Sequence, residues 1–244
     1  MASAINVKDP SGLRATEDRR ALEMQRDLDA AAQKAIDRIV SGKVTDPTQI
    51  QAIVDSELKN YSAETKAKIV KWINDTWVRS DLRSQKLIRA AGGKITVSAS
   101  LGPTGVLPED VRKAVEINVQ NNIDSLSADV KKKLTASIID GMKEGEGPRV
   151  IAKRISEEIG MERSRAQLIA RTETMNAYRS GSSAQYEKYG IQEEKWLTAH
   201  DDRTCDECAA HDGAVYPVGQ RPRVHGGTDI QCRCIGLPVI PGVG

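Results

Sequence analysis

All four cysteines and all three histidines of this 244-residue chain fall in one stretch, Trp196 to Pro238. The stretch reads WLTAHDDRTCDECAAHDGAVYPVGQRPRVHGGTDIQCRCIGLP and holds Cys205-x-x-Cys208, Cys232-x-Cys234, His200, His211 and His225. A Cys-x-x-Cys pair alone is a weak signal, but a return pair about two dozen residues later makes the pattern specific for metal. Two thiolates separated by two residues turn inward on a tight knuckle, and zinc suits them, with four tetrahedral ligands and sulfur at about 2.3 Å. On an extended segment residues i and i+2 share a face, so Cys232 and Cys234 face the ion while Arg233 faces away. Two ligand sets remain open: four cysteines, or three cysteines with His225, the second being preferred. The candidate ligands are therefore Cys205, Cys208, His225, Cys232 and Cys234.

A structural site is expected rather than a catalytic one. Catalytic zinc keeps a water position open, and no His-Glu-x-x-His helix occurs in the chain. His200 and His211 are expected at the surface or behind the ligands, and Asp212-Gly213 as a turn before the strand AVYPV. A β-rich fold of about forty residues has little core of its own, so the metal contributes much of its folding free energy.

Composition directs the rest of the chain toward helices. Aromatic residues are 3%, Phe is absent and charged residues are 29%, so Ala, Ile, Leu and Val must fill the core between solvated helical faces. The N-terminus has no apolar signal region, and no apolar run approaches the roughly 18 residues of a membrane span. The chain is expected in a reducing cytosol, where clustered thiols bind metal in preference to forming disulfides.

Helical spacing of apolar residues runs from Thr16 to about Val40. Ser41-Gly42 ends that helix, and Asp46-Pro47 caps and opens the next. Ser62-x-x-Thr65 offers a further helix start. After Ala91-Gly92-Gly93 the Gly, Ser and Pro content of KITVSASLGPTG predicts a linker or short strand. Pro108 opens another helix, Ser127 caps one more, Gly145 to Gly147 stop it, and Pro148 opens the next. A long helix follows over roughly 162–189, then a strand over Lys195–Ala199. The expected fold is mainly α, an extended multi-helix body with a small C-terminal β-rich zinc-binding knob. Its expected domains are a helical region at 1–94, a linker at 95–107, a second helical part at 108–190 and the knob at 191–244.

Residues 41–100 hold ten basic and six acidic residues with Trp72 and Trp77 among them. Lys66, Lys68, Lys71, Arg79, Arg83, Lys86 and Arg89 are the candidates there for contact with DNA or an acidic partner. The reading preferred at this point is a solvated basic face over buried tryptophans, because no recognition motif accompanies the charge.

Several motifs in fixed order resemble a family: Ile169-Ala170-Arg171-Thr172-Glu173, Asn176, Trp196, Asp202-Arg203-Thr204-Cys205-x-x-Cys208, Asp212-Gly213 and Cys232-Arg233-Cys234. Over about residues 148–240 the chain is similar to the head morphogenesis domain of tailed bacteriophages, the minor head proteins typified by the F protein of phage Mu. The family usually ends in His-Pro-x-Cys-Arg-Cys, whereas here six residues separate His225 from Cys232. The resemblance implies a non-enzymatic, low-copy virion component near the portal vertex, assembled in the host bacterial cytoplasm. Its implied partners are the portal and major capsid proteins and packaged DNA, with a role in head assembly, packaging or ejection. Some relatives carry a fused effector; with Gly244 six residues after Pro238, none is expected here. Arg171, Glu173, Asn176, Asp202 and Arg233 are read as polar ties between helix and knob, with no catalytic residue among them. The competing functions are a zinc-dependent hydrolase or nuclease beside the ion, and a DNA-binding module using Trp72–Lys94.

Overall fold

In a computed structural model of the chain, the residues described are Asp9, 11–93, 109–147, Val150, Lys153, Glu157, 159–225, Gly227 and 229–242. Four long helices, α1 (Arg14–Ser41), α2 (Pro47–Ala90), α3 (Glu109–Lys143) and α4 (Gly160–Lys188), are followed by β1 (Glu193–Leu197), the short α5 (Asp206–Ala210), β2 (Val215–Pro217) and β3 (Ile235–Val239). The fold is mainly helical with one small antiparallel sheet near the C-terminus, of strand order β2-β1-β3. Among the described residues no helix is long and apolar enough to cross a membrane. The linker expected at 95–107 and the helix start expected at Pro148 lie outside the described residues.

The chain divides into two compact units. One comprises 18–70 and 113–170. In it the buried side chains recur every three or four residues: Met24, Leu28, Ala32, Ile36 and Ile39 on α1, Ile50, Val54, Leu58, Tyr61 and Ile69 on α2, and Val119, Ile123, Leu126, Val130, Leu134 and Ile138 on α3. That period places one apolar stripe on each helix, and burying the stripes against one another drives the packing. Ion pairs and hydrogen bonds run around the bundle in a ring. Lys68 meets Asp27 at 2.6 Å (α2 to α1), Lys131 meets Asp55 at 2.7 Å (α3 to α2), Lys133 meets Glu162 at 2.8 Å (α3 to α4), and Arg163 meets Asp29 at 2.6 Å (α4 to α1). Exposed pairs of this kind add little stability each, but together they show which helices are neighbours.

Two expected helix starts are corrected. Neither Ser62-x-x-Thr65 nor Ser127 begins a helix; α2 and α3 run through both without a break. The apolar period continues across each serine, with Leu58, Tyr61 and Ile69 buried around the first and Ile123, Leu126 and Val130 around the second. The hydroxyls that would have capped are hydrogen-bonded to each other at 2.6 Å. Asp46 does cap α2, accepting from Gln49 N at 2.9 Å. At the end of α1 the residue in the left-handed region is Lys43 (φ 48), and Val44 N closes on Ile39 O at 3.0 Å.

The other unit comprises 1–17, 71–112 and 171–244. Here α2 and α4 cross closely at Gly181, where a Cβ would lie 2.1 Å from Ser80 Oγ. Two apolar clusters fix α4 on the sheet: Leu13, Met175, Tyr178 and Ile235 in one, Ile88, Tyr186, Ile191 and Val218 in the other. Tyr186 also donates its hydroxyl to Gly236 O at 3.1 Å. Gly236 is required where it stands, because a Cβ there would meet the buried Glu194 carboxylate at 2.1 Å. Burial pushes that carboxyl upward, opposed by a hydrogen bond from Gly219 N.

Candidate metal centre

The first half of the centre is a knuckle at the start of α5. Asp201 and Thr204 close a turn through Thr204 N to Asp201 O at 2.9 Å, and Cys205 then caps α5 in extended conformation, its Sγ accepting from Cys208 N at 3.3 Å. A thiolate suits that position, because helix N-termini favour negative charge. The same geometry turns Cys208 inward, where it is 3% exposed.

The loop 221–232 supplies the second half, organised by the buried Asp229. Its carboxylate accepts from Val224 N at 3.0 Å and from Arg221 Nη2 at 2.9 Å, and its carbonyl accepts from Cys232 N at 3.1 Å. His225, in the left-handed region (φ 54), donates its backbone N–H to Glu207 Oε2 at 2.7 Å, which moors the loop to the knuckle.

These two halves bring five donors together. Cys205 Sγ and Cys208 Sγ lie 3.8 and 3.9 Å from His225 Nε2, and Cys208 Sγ lies 3.9 Å from Cys232 Sγ. Cys208 belongs to two triplets, one with Cys205 and His225 and one with Cys232 and Cys234, each with its donor atoms within 4.8 Å of one another. The cluster can hold a metal ion. Sulfurs at about 2.3 Å from a tetrahedral ion are about 3.8 Å apart, which the separations of 3.8–3.9 Å along Cys205, His225, Cys208 and Cys232 match, although Cys232 shares no triplet with Cys205 or His225. Soft thiolates with an imidazole favour a borderline-soft ion such as zinc over hard cations. Buried thiols at such separations oppose one another's ionisation. Burial first, then the charge of Cys232, pushes the Cys208 thiol up to about 12. Cys232 is drawn down, first by the hydrogen bond from Cys234 and then by the Arg179 and Arg221 guanidiniums, while Cys234 is pushed up.

Two arginines flank the cysteines. Arg233 points away from Cys232 and Cys234 and grips Asp201 with both terminal nitrogens, at 2.9 and 2.7 Å. Those hydrogen bonds hold the Asp201 carboxyl well below the usual carboxylate range. The acid engaged is thus Asp201, while Asp202 beside it is exposed. Arg179, unmarked by any motif, donates Nη1 to Cys232 O at 2.8 Å and Nη2 to Asn176 Oδ1 at 2.6 Å. Its burial depresses the guanidinium's pKa, partly offset by the negative charge of Cys232. The signal for it was a charge on the face of α4 that buries Met175, Tyr178 and Ser182. Arg171 is half-buried and Glu173 buried, and both are engaged by partners. Between them, Thr172 Oγ1 accepts from Gln231 N at 3.3 Å.

Trp196 seals the centre, 1% exposed and packed with Cys208, Val224, Cys232 and Cys234. The Arg221 guanidinium lies 4.8 Å from its ring centre and His211 lies 5.1 Å away. His211 Nδ1 is 2.7 Å from Tyr216 Oη, and His200 Nε2 is 2.8 Å from Asp212 Oδ2. Neither histidine joins the donor cluster among the described residues. The basic candidates on α2 divide. Lys66 pairs with Asp124 at 2.7 Å, and Lys68 with Asp27 and with Glu23 at 3.5 Å. Lys71, Arg79, Lys86 and Arg89 are exposed, and Arg83 is half-buried.

Among known proteins, an uncharacterised protein of Haemophilus influenzae (strain ATCC 51907 / DSM 11121 / KW20 / Rd) is 26% identical over 148 residues, covering 60% of this chain. The chain spans about a third of that protein's length (33%). No solved structure matches. The family model described as Phage Mu protein F like protein matches residues 132–236, which include all five donors, Arg179 and most of the sheet. Residues 132–236 of this chain are thus similar to the Phage Mu protein F like family.

Proposed function

We propose that the chain is a structural component of a tailed-phage head, a minor head protein acting in morphogenesis rather than an enzyme. One zinc ion pins its C-terminal unit through Cys205, Cys208, His225 and Cys232. The observation that carries this reading is the pair of donor triplets that share Cys208, one with Cys205 and His225 and one with Cys232 and Cys234, inside the family-matched segment. Four protein ligands leave no open position for a reacting water, which favours a structural role for the ion. Cys234, in one triplet with Cys208 and Cys232, is the alternative fourth ligand. With its C-terminal unit held in this way, the protein presents that unit to the portal vertex, where the portal and major capsid proteins are its partners. Its place is the virion, after assembly in the bacterial cytoplasm.

Mass spectrometry of purified virions and procapsids, with a pull-down against the portal protein, tests this function. Presence at low copy number together with portal capture is expected. Absence from both particles overturns it, and so does a zinc-dependent hydrolytic activity that disappears in Cys208→Ser.

A further inference from the structure

One recess in the C-terminal unit lies apart from the metal centre. It encloses about 230 Å³ between the start of α1 and one face of α2, and Leu13, Arg79, Leu82, Arg83, Lys86 and Tyr178 line it. Residues 79, 82, 83 and 86 follow i, i+3, i+4, i+7 spacing, so three cations share one helical face. Arg79 and Lys86 are exposed and make no ion pair or hydrogen bond among the described residues, while Arg83 between them is engaged. This sets them apart from Lys66 and Lys68, whose charge is already met by carboxylates.

The second observation is Tyr178. The side chain lines the recess and is 2% exposed, and its hydroxyl, which faces Ser182 and Arg83, has no well-aligned hydrogen-bond partner among the described residues. A buried phenol without a well-aligned partner costs free energy unless something outside the chain accepts its proton. The backbone N–H groups at the start of α1 add no donors to the recess, because Gly12, Leu13 and Arg14 already donate theirs to Asp9 and Ser11. What the recess offers is therefore two guanidiniums, an ammonium and a phenolic O–H. That is a donor set for a tetrahedral oxyanion, and arginine's planar fork matches phosphate oxygens in pairs.

We infer that this recess binds a phosphate group, through Arg79, Arg83 and Lys86 at its rim and the Tyr178 hydroxyl. The phosphate comes either from a polynucleotide backbone or from a free phosphate compound, and both present the same oxygens to these donors. The inference does not depend on zinc or on a place in the phage head. Leu82, 60% exposed at the rim, packs against the non-phosphate part of the ligand.

The test uses the full chain with two probes, pyrophosphate by calorimetry and a 20-base-pair DNA duplex by fluorescence anisotropy across a salt series. Arg79→Ala/Lys86→Ala is expected to weaken both at least tenfold and to lower the salt slope for the duplex by about two, near 0.9 per lost phosphate contact. Lys66→Ala/Lys68→Ala is the control and is expected to change neither more than twofold. Tyr178→Phe, which removes only the hydroxyl, is expected to weaken pyrophosphate several-fold with the circular dichroism spectrum unchanged. Duplex binding that pyrophosphate competes away identifies the backbone as the source; pyrophosphate binding without duplex binding identifies a free compound. The inference is overturned if neither probe binds, if the control pair weakens binding as much as the test pair, or if a glutamate-rich peptide binds the recess where pyrophosphate does not.

Discussion

Arg179 donates to the carbonyl oxygen of Cys232 at 2.8 Å from inside α4. A helix of the body thereby grips the backbone of a metal-ligand candidate, and its charge lies where thiolates are to be held. Replacing it with Met keeps the volume and removes both the charge and the hydrogen bond. Loss of a buried hydrogen bond from a charged donor costs about 2–3 kcal/mol. Arg179→Met is therefore expected to lower the urea midpoint of the C-terminal unit and weaken metal retention against a chelator, while Arg233→Met leaves retention nearer wild type.

The cysteines are not equivalent. Cys205→Ser and Cys208→Ser are expected to abolish stoichiometric zinc, since both belong to the triplet with His225 and Cys208 also joins it to Cys232 and Cys234. Cys234→Ser is expected to retain zinc and to bind it more weakly. Elemental analysis of the three variants checks this ordering, and equal loss in all three would move Cys234 into the ligand set.

Asp201 gives a pH prediction. Its folded pKa is depressed by the hydrogen bonds from Arg233. Its contribution to stability is therefore fully present above the unfolded aspartate value of about 3.9 and is lost as pH falls below that value toward the depressed one. The stability gap between wild type and Asp201→Asn is expected to be constant from pH 7 to 5 and to shrink below about pH 4. Denaturant titrations across that range check it.

Ser62 and Ser127 give a prediction about the helical bundle. Each single alanine variant leaves the other hydroxyl of the 2.6 Å pair without its partner. A loss of about 1 kcal/mol is expected for each single change, and less than the sum of the two for the double. A double-mutant cycle on urea midpoints measures the coupling.

The same two serines mark where the sequence could be read and where it could not. Asp46-Pro47 was legible as a helix start because the cap, the proline and the onset of apolar periodicity coincide there. Ser62 and Ser127 have the composition of caps, but the period around them never breaks, and packing of Leu58, Tyr61, Ile123 and Leu126 overrides local preference. The metal cluster was legible because ligand chemistry is confined to few residue types at fixed spacing. Its supports were not. Arg179 lies more than fifty residues from Cys232, and Asp229 organises its loop through bonds to Val224, Arg221 and Cys232 that no local pattern encodes. The pairing of Lys66 and Lys68 on α2 was likewise invisible, because the pairing acids Asp124 and Asp27 come from α3 and α1.

Zinc analysis combined with limited proteolysis, before and after chelation, bears most directly on a metal-held C-terminal unit. One zinc per chain is expected, with X-ray absorption giving sulfur at about 2.3 Å and one nitrogen at about 2.0–2.1 Å. After chelation, cleavage is expected first within 193–239 while the helical bundle of 18–70 and 113–170 persists. A chain that carries no stoichiometric metal, or whose C-terminal unit resists protease equally with and without chelator, would contradict it.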